Sequence, residues 1–90
     1  MMKVVYFLKD TRSGEITIGV ATTRRLDKRQ KQLQSGNPAE LKLLGVIPAK
    51  KASALQRELY TTFSHAHVRG EWFEPLTELV AYIRSRAVMP

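Results

Sequence analysis

Hydrophobic positions divide this chain into short elements of changing period. Val4-Val5-Tyr6-Phe7-Leu8 is an unbroken β-branched and aromatic run, the pattern of a strand, and Asp10-Thr11-Arg12-Ser13-Gly14 after it is a turn cluster. Ile16, Ile18 and Val20 then alternate with Glu15, Thr17 and Gly19, so a second strand follows and the two form a hairpin. From Arg24 to Gln34 the period becomes helical, with Leu26 and Leu33 seven residues apart and Arg and Lys over the opposite face. Ser35-Gly36-Asn37-Pro38 ends that helix, because glycine suits a helix end and proline cannot continue it.

Leu41, Leu43 and Leu44-Gly45-Val46-Ile47 predict a third strand, mostly buried and closed by Pro48. Ala52 to Ser64 is read as a second helix, since Leu55, Leu59 and Phe63 repeat every fourth position along one face. His65 to Gly70 reads as a loop, and Trp72-Phe73 as a short extended return to the core. Pro75 suits the first turn of a last helix, whose apolar face is Leu76, Leu79, Val80 and Ile83. The order β-β-α-β-α-(short extended)-α predicts one α+β domain. It would have a three-stranded antiparallel or mixed sheet flanked by about three helices.

Composition narrows the class. Ninety residues suit a single small domain, able to bury roughly 60–65% of its unfolded surface, and a hydrophobic fraction of 43% is that of a globular chain. With no cysteine, disulfides, thiolate catalysis and cysteine-ligated zinc are excluded. No apolar run approaches the ~20 residues of a membrane span. The stretch Met1 to Leu8 lacks the length and cleavage site of a signal peptide, so a cytoplasmic setting is expected.

Charge changes the picture more. Fifteen Lys plus Arg against eight Asp plus Glu give a formal net charge of +7, which points to an anionic partner, most often nucleic acid. Arg24, Arg25, Lys28, Arg29 and Lys31 crowd the first helix, and Lys50, Lys51 and Arg57 the second; with Arg69 they read as a phosphate-binding surface. Into this basic half Arg69-Gly70-Glu71-Trp72-Phe73 sets one acid, and between Lys42 and Gly70 the sole other acid is Glu58. A carboxylate so placed is either tied to an arginine or free to hold a metal. Gly70 is positioned to allow the backbone angle that aims Glu71 at a cleft. His65 and His67 fall short of the usual four zinc ligands.

Several of these residues together resemble the GIY-YIG nuclease superfamily: Val5-Tyr6-Phe7, Thr17-Ile18-Gly19, Arg29 in the first helix and Glu71 after the second. Leu33-Gln34-Ser35-Gly36-Asn37-Pro38 and Gly70-Glu71-Trp72-Phe73 are similar to motifs of its compact, phage-associated branch. The resemblance spans about Val4 to Ile83 and rests mainly on the two longer motifs, since many hairpins carry the strand pattern. It implies a metal-dependent endonuclease acting on DNA, or a nucleic-acid-binding module of the same fold that has lost catalysis. A homodimer or an accessory subunit is a further expectation for so small a domain.

By the same resemblance Tyr6 is the tyrosine of the first motif, with a hydroxyl expected to emerge at a cleft. Arg29 is the helical arginine, with Arg24 and Arg25 as alternatives, and Glu71 is the ligand of one Mg²⁺ or Mn²⁺ ion. Thr17 stands where the second motif has a tyrosine, and Tyr60 where the branch often has a histidine. Tyr6, Thr17, Arg29, Tyr60 and Glu71 are therefore the expected catalytic set.

Overall fold

The computed structural model describes residues 2–90. In chain order the elements are β1 (Lys3–Asp10), β2 (Ile16–Thr22), α1 (Leu26–Ser35), β3 (Leu41–Ala49), α2 (Ala52–Thr62), a single 3₁₀ turn (Ser64–Ala66), β4 (His67–Arg69), β5 (Trp72–Phe73) and α3 (Thr77–Arg86). The strands form one open sheet in the order β3-β1-β2-β5-β4, with every pairing antiparallel.

The α+β expectation holds, and the strand number is corrected from three to five. The additional pair comes from segments read as a loop and a short extended return. β4 and β5 make a small hairpin that adds itself to the outer edge of β2. Its signal is weak because His67, Val68 and Arg69 are all exposed, so no alternation of apolar and polar residues marks the strand.

β1 lies inside the sheet and is covered on both sides, which is why its apolar run does not alternate. Val5 and Phe7 face the larger core with Ile16, Ile18, Leu59, Phe63, Phe73, Leu79 and Ile83, beneath α2 and α3. Val4, Tyr6 and Leu8 face a smaller core with Leu26 and Val46, beneath α1. Burying each large side chain of these cores contributes about 1.5–3 kcal/mol.

Several boundaries differ from the sequence expectation. Strand β3 continues through Pro48 to Ala49; it is an edge strand, where a missing N–H need not interrupt a ladder. Part of that edge is covered by the C-terminal tail, as Val46 and Val88 exchange backbone hydrogen bonds of 2.8 and 2.9 Å. The second helix stops at Thr62 and tightens into the 3₁₀ turn, rather than running to Ser64. Pro75 precedes α3 instead of lying in its first turn.

The first helix starts at Leu26, later than the expected Arg24, and this shift bears on the site. The Arg25 N–H is held by the Thr22 carbonyl at 2.9 Å, in a turn that brings α1 back over β2.

Candidate functional site

Tyr6, Gly19, Arg29 and Glu71, contributed by β1, β2, α1 and the β4–β5 turn, meet at the edge of β2. Tyr6 and Gly19 are register partners across β1 and β2. A β-carbon at Gly19 would collide with Cζ and Oη of Tyr6, so only glycine lets this ring lie across the neighbouring strand. Arg29 descends onto the hydroxyl from α1. Its Nε–H donates to Tyr6 Oη at 3.3 Å and its Nη2 donates to Glu71 Oε2 at 3.2 Å. Arg29, the first choice among the three arginines named from the sequence, is the one that makes these contacts.

Glu71 is held mainly through its backbone. Its carbonyl accepts from the Ile18 N–H at 3.0 Å and from the Thr17 hydroxyl at 3.2 Å. Gly70 ahead of it has φ +51°, a left-handed angle that side chains disfavour. His67 Nε2 lies 2.7 Å from the Gly70 carbonyl; a carbonyl only accepts, so this nitrogen carries the proton. The His67 ring also stacks on Phe73, with centroids 4.7 Å apart. These contacts fix the turn that presents the carboxylate. Replacing His67 with Phe keeps a ring on Phe73 but removes the donor, and is expected to speed hydrogen exchange at the Ile18 amide. His67→Gln retains an N–H and is expected to restore much of the protection, as amide-resolved exchange would register.

Two sequence expectations need correction. Tyr6 is fully buried, and its hydroxyl lies under Arg29 rather than emerging at a cleft. Thr17 is fully buried as well; its hydroxyl is committed to the Glu71 carbonyl, so it supports the loop instead of facing a substrate.

The ion-pair partner of Glu71 is Arg29, whereas Arg69 reaches Glu15 at 3.6 Å. With side chains 41% and 32% exposed, the Arg29–Glu71 pair is worth only about 0–1 kcal/mol. A phosphate or cation entering here can open it with little loss of stability.

Tyr60 flanks the site on the other face of the sheet. Its hydroxyl donates to the Ile18 carbonyl at 3.1 Å, and Gln56 Nε2 donates to the same oxygen at 3.0 Å. Sequence reasoning missed Gln56; the signal was its spacing of one helical turn from Tyr60. Burial, then the Glu71 charge, push the Tyr60 hydroxyl up to about 12. Tyr6 is raised too, by burial, although the Arg29 hydrogen bond opposes the shift. Both phenols therefore keep their protons at neutral pH and offer hydrogen bonds rather than a base.

The Tyr60 shift has a consequence for stability. The unfolded phenol ionises near 10, so the folded state holds the extra proton between pH 10 and about 12. The contribution is fully present below pH 10 and is lost as pH rises toward 12. Denaturant midpoints measured from pH 9 to 12 should fall less steeply for Tyr60→Phe than for the wild type.

The expected phosphate surface is only partly assembled. Arg25, Lys28 and Arg29, with Val20, Ala21 and Gln32, line a cleft of about 230 Å³ between α1 and β2. Arg57 lines a shallow hollow with Gln56, Tyr60 and Thr61. Arg24 is exposed ahead of α1, and Lys31 is paired with Asp27 at 3.3 Å. Lys50 and Lys51 lie between β3 and α2, with Lys50 beside Met2, Lys3 and Ala49.

Among the described residues, no group of three or more His, Asp or Glu side chains converges as a metal cage. Glu71 offers one hard carboxylate that is one-third exposed. That donor set fits an ion that retains waters and takes further oxygens from phosphate, as Mg²⁺ does, and does not fit a closed zinc site. His65 faces Glu78 at 3.0 Å, away from His67 and its Gly70 partner. No helix among the described residues is long and apolar enough to cross a membrane.

No curated protein and no solved structure matches the chain. The model of one family, the T5orf172 domain, matches residues 3–87, almost the entire length. The chain belongs to the T5orf172 domain family.

Proposed function

We propose that this domain is a GIY-YIG-type endonuclease that hydrolyses DNA phosphodiester bonds with the help of one Mg²⁺ or Mn²⁺ ion. The observation that carries the reading is the bridge made by Arg29, whose guanidinium touches both the Tyr6 hydroxyl and the Glu71 carboxylate. Membership of a phage-associated family related to nuclease folds is compatible with a nuclease-like or nucleic-acid-binding role.

Hydrolysis at phosphorus builds negative charge on the phosphoryl oxygens and on the leaving oxygen. Arg29 presents a planar fork of donors to that charge once it exchanges the Glu71 carboxylate for a phosphate. Its departure also uncovers Tyr6, whose protonated hydroxyl then donates a hydrogen bond to a phosphate oxygen or orients the attacking water. Glu71 is the residue that would hold the metal ion, which when bound supplies Lewis acidity at the phosphoryl oxygen. Thr17, Gly70 and His67 keep the Glu71 backbone in place, and Gly19 leaves room for the Tyr6 ring.

A second reading has its own observation. The closed Arg29–Glu71 pair, without a cage of carboxylates around it among the described residues, also suits a module that binds nucleic acid and no longer cuts. Supercoiled plasmid incubated with the protein and Mg²⁺ or Mn²⁺, beside Glu71→Ala, separates the two. Nicking by the wild type that EDTA or the substitution abolishes supports the nuclease. Salt-sensitive DNA binding by both proteins without any nicking supports the binding module. Retention of RNA without DNA would displace the DNA nuclease and leave a module that binds RNA.

A further inference from the structure

We propose that the cleft between α1 and β2 is a seat for a second phosphate of the bound strand, adjacent to the one that Arg29 would hold. This assignment rests on the nuclease reading for the chemistry next door, but it concerns binding and is tested without cleavage.

Three observations converge on the cleft. The first is charge. Arg25, Lys28 and Arg29 line it and no acidic side chain does, Asp27 being turned toward Lys31 and Glu71 toward Arg29. The second is spacing. The Arg29 N–H donates to the Arg25 carbonyl at 2.9 Å, so the two arginines stand one helical turn apart across the start of α1 and can serve neighbouring phosphates. One guanidinium, that of Arg29, borders both the cleft and the Tyr6–Glu71 site.

The third observation is an open strand edge. β5 pairs with β2 only at Ile16 and Thr17, and the Ile18 N–H still reaches the Glu71 carbonyl at 3.0 Å. Beyond that point β2 has no neighbouring strand on this side among the described residues. The Ile18 carbonyl is taken by Gln56 and Tyr60, and the Thr22 carbonyl by the Arg25 N–H. Strand alternation turns the backbone of Val20 the same way as that of Ile18. Its N–H therefore points out of the unpaired edge, and Val20 borders the cleft. An outward backbone donor beside three cations, with Ala21 as a small apolar wall, suits a phosphodiester oxygen. Gln32 adds an uncharged hydrogen-bonding group at the rim.

Binding of a fluorescein-labelled DNA duplex by the full chain, followed by anisotropy in EDTA over a salt series, tests the seat. Arg25→Ala and Lys28→Ala are each expected to reduce the slope of log affinity against log salt by about 0.9. Arg84→Ala, on α3 across the sheet from α1, should leave the slope unchanged. In a parallel ¹⁵N titration, DNA is expected to shift the Val20 amide, and inorganic phosphate to shift it weakly and in competition with DNA.

Wild-type slopes in both cleft variants, or a Val20 amide indifferent to saturating DNA, would overturn the proposal. Tight binding of inorganic phosphate that DNA does not displace would overturn it too, marking a free-anion site instead. Failure of the catalytic reading looks different: the slopes respond to Arg25 and Lys28, yet no metal produces cutting.

Discussion

Replacing Arg29 with alanine is expected to slow metal-dependent DNA cleavage by about 10²–10³-fold, the usual effect of deleting a donor aimed at developing charge. The residue meets the site from above, touching Tyr6 Oη at 3.3 Å and Glu71 Oε2 at 3.2 Å. Its removal therefore takes away the cation on the phosphate and leaves a buried phenol without its partner. Losing the exposed ion pair matters little, whereas the unpaired buried hydroxyl costs about 1–3 kcal/mol. For a domain of this size each kcal/mol lowers Tm by about 4–8 °C, so the variant should remain folded at 25 °C. Arg29→Lys should not rescue cleavage, because an ammonium lacks the planar fork of donors that Arg29 would present to the phosphate. Plasmid-nicking rates and thermal melts on the same samples check this. Activity within a few-fold of wild type in Arg29→Ala would show that the bridge has no catalytic part.

Gly19→Ala carries the largest expected structural effect. The added β-carbon would overlap the end of the Tyr6 ring, which has no free space to enter because the residue is fully buried. Overpacking of this kind costs about 1–3 kcal/mol, and the displaced ring would also carry its hydroxyl away from Arg29. Stability and cleavage should therefore fall together. A double-mutant cycle isolates the cause. In a Tyr6→Leu background, where nothing reaches across to Gly19, the same substitution should be nearly neutral in denaturant unfolding. Tyr6→Phe should give no such relief, because Cζ collides as well as the hydroxyl. An equal cost of Gly19→Ala in the wild-type and Tyr6→Leu backgrounds would mean that the ring does not require this glycine.

Much of this fold was legible because long elements carry strong periods. The Val4–Leu8 run, the alternation after it and the spacing of Leu55, Leu59 and Phe63 each place an element and its buried face. The β4–β5 hairpin was not legible, since exposed His67, Val68 and Arg69 give a strand no apolar face to reveal it. In the site, residue types could be read but directions could not. With α1 starting at Leu26, Arg24 and Arg25 fall ahead of the helix, and Arg29 is the one of the three that looks down from it at Tyr6. Thr17 sits in the expected place, yet whether its hydroxyl faces solvent or the Glu71 carbonyl depends on a strand contributed from far along the chain. The burial of Tyr6 follows similarly from α1 closing over it. The contacts of His67 with Gly70 and of Gln56 with Ile18 are tertiary, and only the spacing of Gln56 and Tyr60 hinted at either.

Whether Tyr6, Arg29 and Glu71 form a phosphodiesterase site is decided most simply by single-turnover cleavage of pre-bound DNA. Wild type and Glu71→Gln, an uncharged near-isostere, would each be mixed in excess with a labelled DNA duplex before Mg²⁺ or Mn²⁺ is added. The expected outcome is comparable DNA binding by the two proteins, cleavage by the wild type, and a rate at least about 100-fold lower for the variant. Equal cleavage by both proteins, or a wild type that stays bound to intact DNA with either metal, would contradict it.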